Sequence, residues 1–288
     1  MKRLLSLLII LFILGGCQPA ESPDSADSAT AGTAPATETA EPTATAEDPH
    51  AQREETCHLT IGWDPWEPYH HIGSSGHVEG LDIDLVKAAA ARTDCELAFQ
   101  QGSWASLLQL VRGGELDLLL GATPTSERSA YARFSEPYRQ ESFELFVRAD
   151  ELERWSDMTL VELLDSGFRL GITQGYVYNE EISRLLIEPD YQGQIIEAAV
   201  GDLNFTHMMD YRIDGFIEDP FVTTSIQRRR DWGLSIEPLP IDIRTGEVHM
   251  MFSRESVSPE TVERFNQALA DLRESGEYER ILNRYRLD

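Results

Sequence analysis

The chain has 288 residues, 41% of them hydrophobic, and a formal net charge of −26 at pH 7. A negative charge this large repels nucleic acid and therefore argues against nucleic acid as a partner. The length is sufficient for two lobes of ordinary domain size. Lys2 and Lys87 are the only lysines, so nearly every positive charge is an arginine. Both a coding bias and an acidic surface adapted to high salt fit this composition.

Residues 1–16 are predicted to form an export signal. Lys2 and Arg3 precede an apolar run, residues 4–14, that is too short to span a bilayer as a permanent helix. The sequence LGGC, ending at Cys17, resembles the lipobox of bacterial lipoproteins. That resemblance implies cleavage before Cys17 and a lipid on its sulfur, which would anchor an exported protein to the membrane, in the periplasm or at the cell surface. An ordinary secretory leader with a chance cysteine is the alternative.

Residues 17–56 are predicted to form a disordered tether. The segment consists mainly of Ala, Thr, Pro, Glu and Ser and contains no Phe, Tyr or Trp. Such a composition cannot bury enough apolar surface to offset the entropy lost on ordering. Its expected role is to hold the folded part away from the membrane.

Cys57 and Cys95 are predicted to form a disulfide. Each opens a short strand-like run, CHLTIGW and CELAFQQ, so the two sulfurs would be level if the strands are parallel neighbours. An exported chain lies in an oxidising compartment, where a bridge would persist. Two buried thiols are the alternative.

The strand predicted over Leu59–Gly62 ends in a loop rich in proline and aromatic residues. His70, His71 and His77 follow and are predicted to be exposed loop residues rather than a metal site. Two adjacent histidines on a strand do not readily face one ion, and no cysteine or acid completes the spacing. No metal and no cofactor is predicted.

A helix capped by Ser103 and closed by Gly113-Gly114 precedes a buried strand predicted over Leu116–Gly121. The chain then becomes small and polar, and Thr125 is expected to cap a one-turn helix that carries Arg128. Hydroxyls, free backbone N–H groups and a guanidinium at the carboxyl end of a strand suit a carboxylate ligand. Arg128 as a mere surface charge is the alternative.

The sequences GATPTSER and FSEPY, within residues 116–138, resemble the signature of the family 3 bacterial extracellular solute-binding proteins. These are the polar amino-acid binders of ABC importers, and the resemblance extends from about Leu59 to Tyr285. Two later matches support it. The turn after the strand predicted over Phe168–Thr173 resembles a family glycine turn, and IDGFIEDP, which ends at Pro220, resembles a family motif whose last Asp binds an α-ammonium.

The resemblance implies a site for a small zwitterion, with each charged group matched. Arg128 and Thr123 would bind the carboxylate, whereas Asp219, the Gly121 carbonyl and Thr123 would bind the ammonium. Asp219 as a helix N-cap before Pro220 is an alternative compatible with that role. Glu218 is expected to point the other way on its strand unless a bulge intervenes. Trp66 and Trp104 would exclude water, and the remaining candidates are Asp64, Tyr69, Gln174, Gly175 and Tyr176.

The implied fold is α/β and two-lobed, a periplasmic-binding-protein fold of type II in which each lobe is a mostly parallel sheet flanked by helices. Two strands would cross between the lobes. Lobe 1 is predicted to comprise residues 57–148 plus 248–288, and lobe 2 residues 149–247.

The implied function is capture of an amino acid between the closing lobes for delivery to an ABC permease, by a monomeric lipoprotein that is not an enzyme. Two alternatives stay open. The same fold hosts cyclohexadienyl (prephenate or arogenate) dehydratases, for which Glu67 or Glu218 could supply an acid. A ligand-sensing accessory protein is the other.

Overall fold

The structure, a computed structural model, describes residues 57–229, 235–241 and 243–285. The predicted signal, the lipidation site Cys17 and the tether therefore lie outside the described residues. Strands and helices alternate along much of the chain, which confirms the α/β class.

The strands are β1 (Cys57–Trp63), β2 (His71–Ile72), β3 (Val78–Glu79), β4 (Cys95–Gln101), β5 (Leu118–Ala122), β6 (Ala132–Phe134), β7 (Arg139–Arg148), β8 (Leu170–Thr173), β9 (Ile195–Ala198), β10 (Gly215–Glu218), β11 (Ile236–Pro238) and β12 (Ile243–Ser253). The helices are α1 (Leu81–Ala90), α2 (Trp104–Gly113), α3 (Ser126–Tyr131), α4 (Leu152–Trp155), α5 (Leu160–Asp165), α6 (Glu180–Leu185), α7 (Asp202–Met209), α8 (Pro220–Arg229), α9 (Pro259–Glu274) and α10 (Glu277–Tyr285). Short 3-10 turns occupy Ala149–Glu151 and Pro189–Tyr191.

One sheet runs in the order β4-β1-β5-β12-β7-β10-β8-β9, with β6 paired to β12 and β11 to β7. Its two ends are parallel: β1 lies parallel to β4 and β5, and β8 lies parallel to β9 and β10. Between them, β7 and β12 pair antiparallel with each other. These two long strands link the parallel groups, as expected for the two crossing strands.

The predicted disulfide is present. β1 and β4 are in register with Cys57 opposite Cys95, and the two sulfurs are bonded. The parallel register places both sulfurs at the same end of neighbouring strands, which is the geometry expected from the sequence.

Local side-chain caps start the helices where the sequence predicts them. Ser103 accepts a hydrogen bond from the Ser106 N–H at the start of α2, and Thr125 accepts one from the Arg128 N–H at the start of α3. Each cap satisfies a backbone donor that the helix itself leaves free. The cap at Thr125 thus bonds to the backbone of Arg128 itself in the first turn of α3.

The prediction that His70 is exposed is wrong. Its side chain is 2% exposed, because backbone hydrogen bonds between Trp66 and His70 fold the loop back over the start of α1. Gly80 makes this packing possible: its φ is 134°, and a Cβ there would lie 2.1 Å from the Tyr69 carbonyl oxygen. His77 is exposed as predicted, and His71 is partly buried.

Candidate functional site

A cavity lies where strands of both parallel groups end, as ligand sites in α/β sheets commonly do. It holds about 350 Å³ of space not filled by protein atoms, part of it open to solvent. Its lining residues come from both ends of the sheet and from β7: Asp64, Trp66, His70, Trp104, Leu120, Gly121, Thr123, Arg128, Glu141, Phe143, Tyr176 and Val177.

Arg128 is the cation of α3 that faces this cavity, and it is 6% exposed. Its guanidinium donates to the carbonyl oxygens of Thr123 and Gly175, each at 2.8 Å. Burial lowers the pKa of Arg128, although nearby acidic groups oppose the effect. The buried cation is thus held by carbonyl oxygens rather than by a carboxylate, which leaves it suited to an anionic ligand group.

Four aromatic rings line the cavity: Trp66, Trp104, Phe143 and Tyr176. Tyr176 makes edge contacts with Trp66 and Trp104, with ring centroids 6.1 and 6.2 Å apart. The Trp104 indole N–H donates to the Gly175 carbonyl at 3.1 Å, and the Arg128 guanidinium lies 5.6 Å from the Trp104 ring centre. These rings exclude water from the guanidinium, which strengthens any charge pairing there.

Gly121, next to the last residue of β5, has a conformation that suits glycine. Its φ is 66°, and a Cβ there would lie 3.1 Å from a guanidinium nitrogen of Arg139. The backbone N–H of Gly121 donates to the Tyr138 hydroxyl at 2.7 Å. Gly121 itself lines the cavity, so the backbone near the end of β5 forms part of the cavity wall.

A buried charge network lies beside the cavity. Arg139 donates through Nε and Nη2 to the two carboxylate oxygens of Asp82 at 2.9 and 3.1 Å, and the Tyr138 hydroxyl donates to the same carboxylate at 2.7 Å. Burial alone would raise the pKa of Asp82, but Arg139 and then His70 outweigh it and lower the pKa to about 2.

His70 lies between two carboxylates. Its Nδ1 is 3.7 Å from Asp64 Oδ1, and its Nε2 is 3.5 Å from Asp82 Oδ2. Burial alone would lower the pKa of His70, but the two carboxylates outweigh it and raise the pKa to about 9. At neutral pH the imidazole is therefore positively charged.

Glu218 and Asp219, at the end of β10, contact aromatic residues of the loop after β1. The Trp66 indole N–H donates to Glu218 Oε1, and the Tyr69 hydroxyl donates to Asp219 Oδ2, both at 3.0 Å. The expectation that Glu218 points away is wrong: the side chain is fully buried against Trp66. Burial raises the pKa of Glu218 to about 8 and that of Asp219 to about 6.

Four predicted site residues lie outside the cavity lining. Asp219 Oδ1 accepts hydrogen bonds from the first backbone N–H groups of α8, so the N-cap alternative is present in the structure. Tyr69 is buried beside Asp219, Gln174 is exposed, and Gly175 contributes its carbonyl to Arg128 and Trp104. Their ligand-binding roles stay predictions.

Sequence reasoning did not identify Glu141 as a lining residue. Arg139, Glu141 and Phe143 alternate along β7, and all three are buried, whereas Gln140 and Ser142 between them are exposed. The signal was present as period-two alternation directly after FSEPY, a pattern that places these side chains on one face of a strand.

Glu67 and Glu218, the acids considered for an enzyme, do not line the cavity. Glu67 pairs with Arg229 at 2.8 Å. Across the described ranges, no group of three or more His, Cys, Asp or Glu side chains is arranged to hold a metal ion. No helix within those ranges is both long and apolar enough to cross a membrane.

Comparison with known proteins identifies relatives over most of the described chain. The model of the family described as bacterial extracellular solute-binding proteins, family 3, matches residues 59–288. A probable histidine-binding protein of Neisseria gonorrhoeae is 26% identical over 220 residues, which cover 76% of this chain and 78% of that protein. ABC transporter arginine-binding protein 1 of Escherichia coli K12 is 24% identical, with 76% and 86% covered.

Solved structures share the fold. An ancestral arginine-binding protein bound to arginine superposes with a TM-score of 0.67 at 20% identity, over 79% of this chain and 97% of that one. A histidine kinase sensor domain similar to periplasmic binding proteins also gives 0.67, at 19% identity, over 81% and 96%. The predicted two-lobed periplasmic-binding-protein fold is confirmed. The matching family and relatives are solute-binding proteins and not enzymes.

Proposed function

Because this chain belongs to the bacterial extracellular solute-binding proteins, family 3, we propose that it is an exported protein that captures an amino acid in the cavity described above. The relatives named for histidine and arginine support an amino acid as the ligand class. The dehydratase alternative has no support in the cavity lining.

The position of Arg128 is the main observation that supports this proposal. It is a buried cation at the cavity wall, and it donates hydrogen bonds to backbone carbonyl oxygens. A ligand carboxylate would give the guanidinium a negatively charged partner, either in place of these carbonyl groups or in addition to them. Thr123 lines the cavity beside it and adds a hydroxyl. A planar guanidinium binds a carboxylate with two parallel hydrogen bonds, so it recognises the ligand by geometry as well as by charge.

The ammonium group of the ligand would be bound by Asp219, with help from the Gly121 carbonyl and Thr123. Asp219 Oδ2 accepts from the Tyr69 hydroxyl, and a carboxylate oxygen has a second lone pair for an ammonium. Pairing both ligand charges matters because an unpaired buried charge costs several kcal/mol.

Closure of two lobes around the ligand is part of the proposal. We assign residues 57–148 plus 248–288 to lobe 1 and residues 149–247 to lobe 2. Hydrogen bonds from Arg128 to Gly175 and from Trp66 to Glu218 would then join the lobes directly. Opening would break these contacts, and a ligand bridging Arg128 and Asp219 would favour closure.

Delivery to an ABC permease and a lipid anchor on Cys17 complete the proposal. The monomeric state and the tether over residues 17–56 belong to it as well. A sensing role without an importer is the second candidate, and the shared fold of a histidine kinase sensor domain is compatible with it.

The test is ligand binding by the purified chain and by Arg128→Ala. Thermal shift against the common L-amino acids identifies a ligand, and calorimetry then measures its affinity. Arg128→Ala should weaken binding by about 3–5 kcal/mol, because it leaves the ligand carboxylate buried without its partner. Arg112→Ala is the control, since Arg112 lies on α2 in an exposed pair with Glu127. Near-normal affinity in Arg128→Ala, or no binding of any amino acid, would contradict the proposal.

A further inference from the structure

We infer that Glu141, together with Asp64, selects an amino acid whose side chain carries a second positive charge, such as a guanidinium or an ammonium group. This inference rests on the proposed function, since it concerns the ligand of the same cavity. It adds the ligand's charge class and a specificity-determining residue.

The position of Glu141 follows from the pleat of β7. Within Arg139–Phe143, side chains at alternate positions are buried, and Glu141 is the one that brings a carboxylate to the cavity. It is 8% exposed, and Phe143, two residues on, lines the same cavity. Asp64 lines the cavity from the loop after β1 and is 2% exposed.

Both carboxylates have weak partners within the described protein. The nearest cation of Glu141 is Arg139, whose Nη1 lies 3.7 Å from Oε1, while Arg139 Nε and Nη2 donate to Asp82. The described donor to the Glu141 carboxylate is the Thr245 hydroxyl, at 3.4 Å. A buried carboxylate of this kind is stabilised by a closer cation.

Asp64 is in a similar position. Its oxygens lie 3.7 Å from His70 Nδ1 and 3.4 Å from the Tyr176 hydroxyl. His70 also faces Asp82, so its single charge is divided between two carboxylates. Neither Asp64 nor Glu141 is therefore fully neutralised by its protein neighbours.

The two carboxylates of the lining favour a ligand with a second cation. A neutral zwitterion matches Arg128 and Asp219 but leaves Asp64 and Glu141 without a close counter-ion. A positive charge on the ligand's side chain would supply that counter-ion.

The titration behaviour and the aromatic walls agree with this geometry. Burial raises the pKa of Glu141 to about 7, although Arg139 opposes the effect, so a nearby ligand cation would restore the ionised form. The aromatic residues Trp66, Phe143 and Tyr176 line the same space, and aromatic rings attract cations.

The test compares L-arginine with L-citrulline, which has a similar size and shape but a neutral side chain. Calorimetry on the wild-type chain should give arginine an affinity about 10- to 100-fold higher, as expected for a hydrogen bond to a charged group. Glu141→Gln should lower the arginine affinity by a similar factor and leave the citrulline affinity within about twofold. The ratio of the two affinities in one protein sample is independent of how much of the variant is folded.

Glu144→Gln is the matched control. Glu144 lies three residues further along β7, outside the cavity lining, so its substitution should leave the ratio unchanged. Equal wild-type affinities for arginine and citrulline, or a ratio that Glu141→Gln leaves intact, would overturn this inference while the amino-acid-binding proposal stands. Absence of binding by every amino acid would overturn both.

Discussion

Arg139 and Asp82 show how one buried ion pair supports the candidate site without facing the ligand. The carboxylate of Asp82 is fully buried and is shared by Arg139, Tyr138 and His70. The Tyr138 hydroxyl also accepts the Gly121 N–H, and His70 lies within reach of Asp64. Positions of groups on the cavity wall thus depend on a single carboxylate behind it.

We predict that Asp82→Asn destabilises the protein by about 3–5 kcal/mol, because it removes the closer of the two carboxylates that face the buried Arg139 guanidinium and leaves the more distant Glu141. Asp84→Asn on the same helix is the control. Asp84 pairs with Arg284, and its side chain is 23% exposed, so its loss should cost about 1 kcal/mol or less. Urea unfolding of both variants measures the difference. Equal midpoints would show that the Asp82 pair adds no stability beyond a surface contact.

The position of a site residue could be predicted from the sequence where a short local motif determines it. Arg128 follows a capping threonine, and the loop that carries Trp66 follows a strand, so short-range patterns were sufficient. The burial of His70 and the inward direction of Glu218 were not predictable, because they depend on how the loop after β1 folds over α1 and meets β10. The burial of Glu141 could have been predicted from the alternation of side chains along β7.

Among the helices and strands, the sequence predicts best those helix starts and strand pairings that a particular residue type marks. Ser103 and Thr125 mark helix starts, and Cys57 and Cys95 mark the pairing of β1 with β4. The pairing of β7 with β12 across a long sequence separation carries no local marker. Its placement depends on the whole sheet, and the resemblance to a family was needed to predict two crossing strands.

We predict that replacing Cys57 and Cys95 together by serine lowers the free energy of unfolding by ~4 kcal/mol or less, because the bridge closes a loop with a sequence separation of 38. The loss should come mainly through the larger entropy of the unfolded chain. Urea unfolding of the double variant and of the oxidised wild type measures it. An unchanged urea midpoint would mean that the β1–β4 pairing does not need the crosslink. Neither sulfur lies in the cavity lining, so the ligand affinity of the double variant should stay close to that of the wild type.

For the molecule as a whole, the decisive feature is that ionisable groups from both ends of the sheet are buried together. Glu141 and Asp64 face the cavity, and Glu218 and Asp219 contact the loop after β1. Burial of Glu141, Glu218 and Asp219 raises their pKa values and so shifts the proton equilibrium of the folded protein relative to the unfolded chain. The stability of the whole protein is therefore expected to depend on pH in the neutral range.

We predict that the free energy of unfolding falls as the pH rises from 6 to 9. In the folded protein the pKa of Glu141 is raised to about 7 and that of Glu218 to about 8, both from 4.5, while the pKa of His70 is raised from 6.5 to about 9. The folded state consequently binds more protons than the unfolded state in this window. Stability must then fall by about 1.4 kcal/mol per pH unit for each extra proton bound. Below pH 4 the trend reverses, because Asp82, with a pKa lowered to about 2, loses its charge.

Urea unfolding at pH 6, 7.5 and 9, at one ionic strength that screens the acidic surface, measures this slope. Glu218→Gln should make the slope shallower, because it removes the group whose burial holds a proton up to about pH 8. Glu144→Gln should change the slope less. Burial also raises the pKa of Glu144, but this side chain is only partly buried. A wild-type stability that stays constant or rises between pH 6 and 9 would show that these carboxyl groups are solvated in solution, and the lobes would then be apart rather than in contact through Trp66 and Glu218.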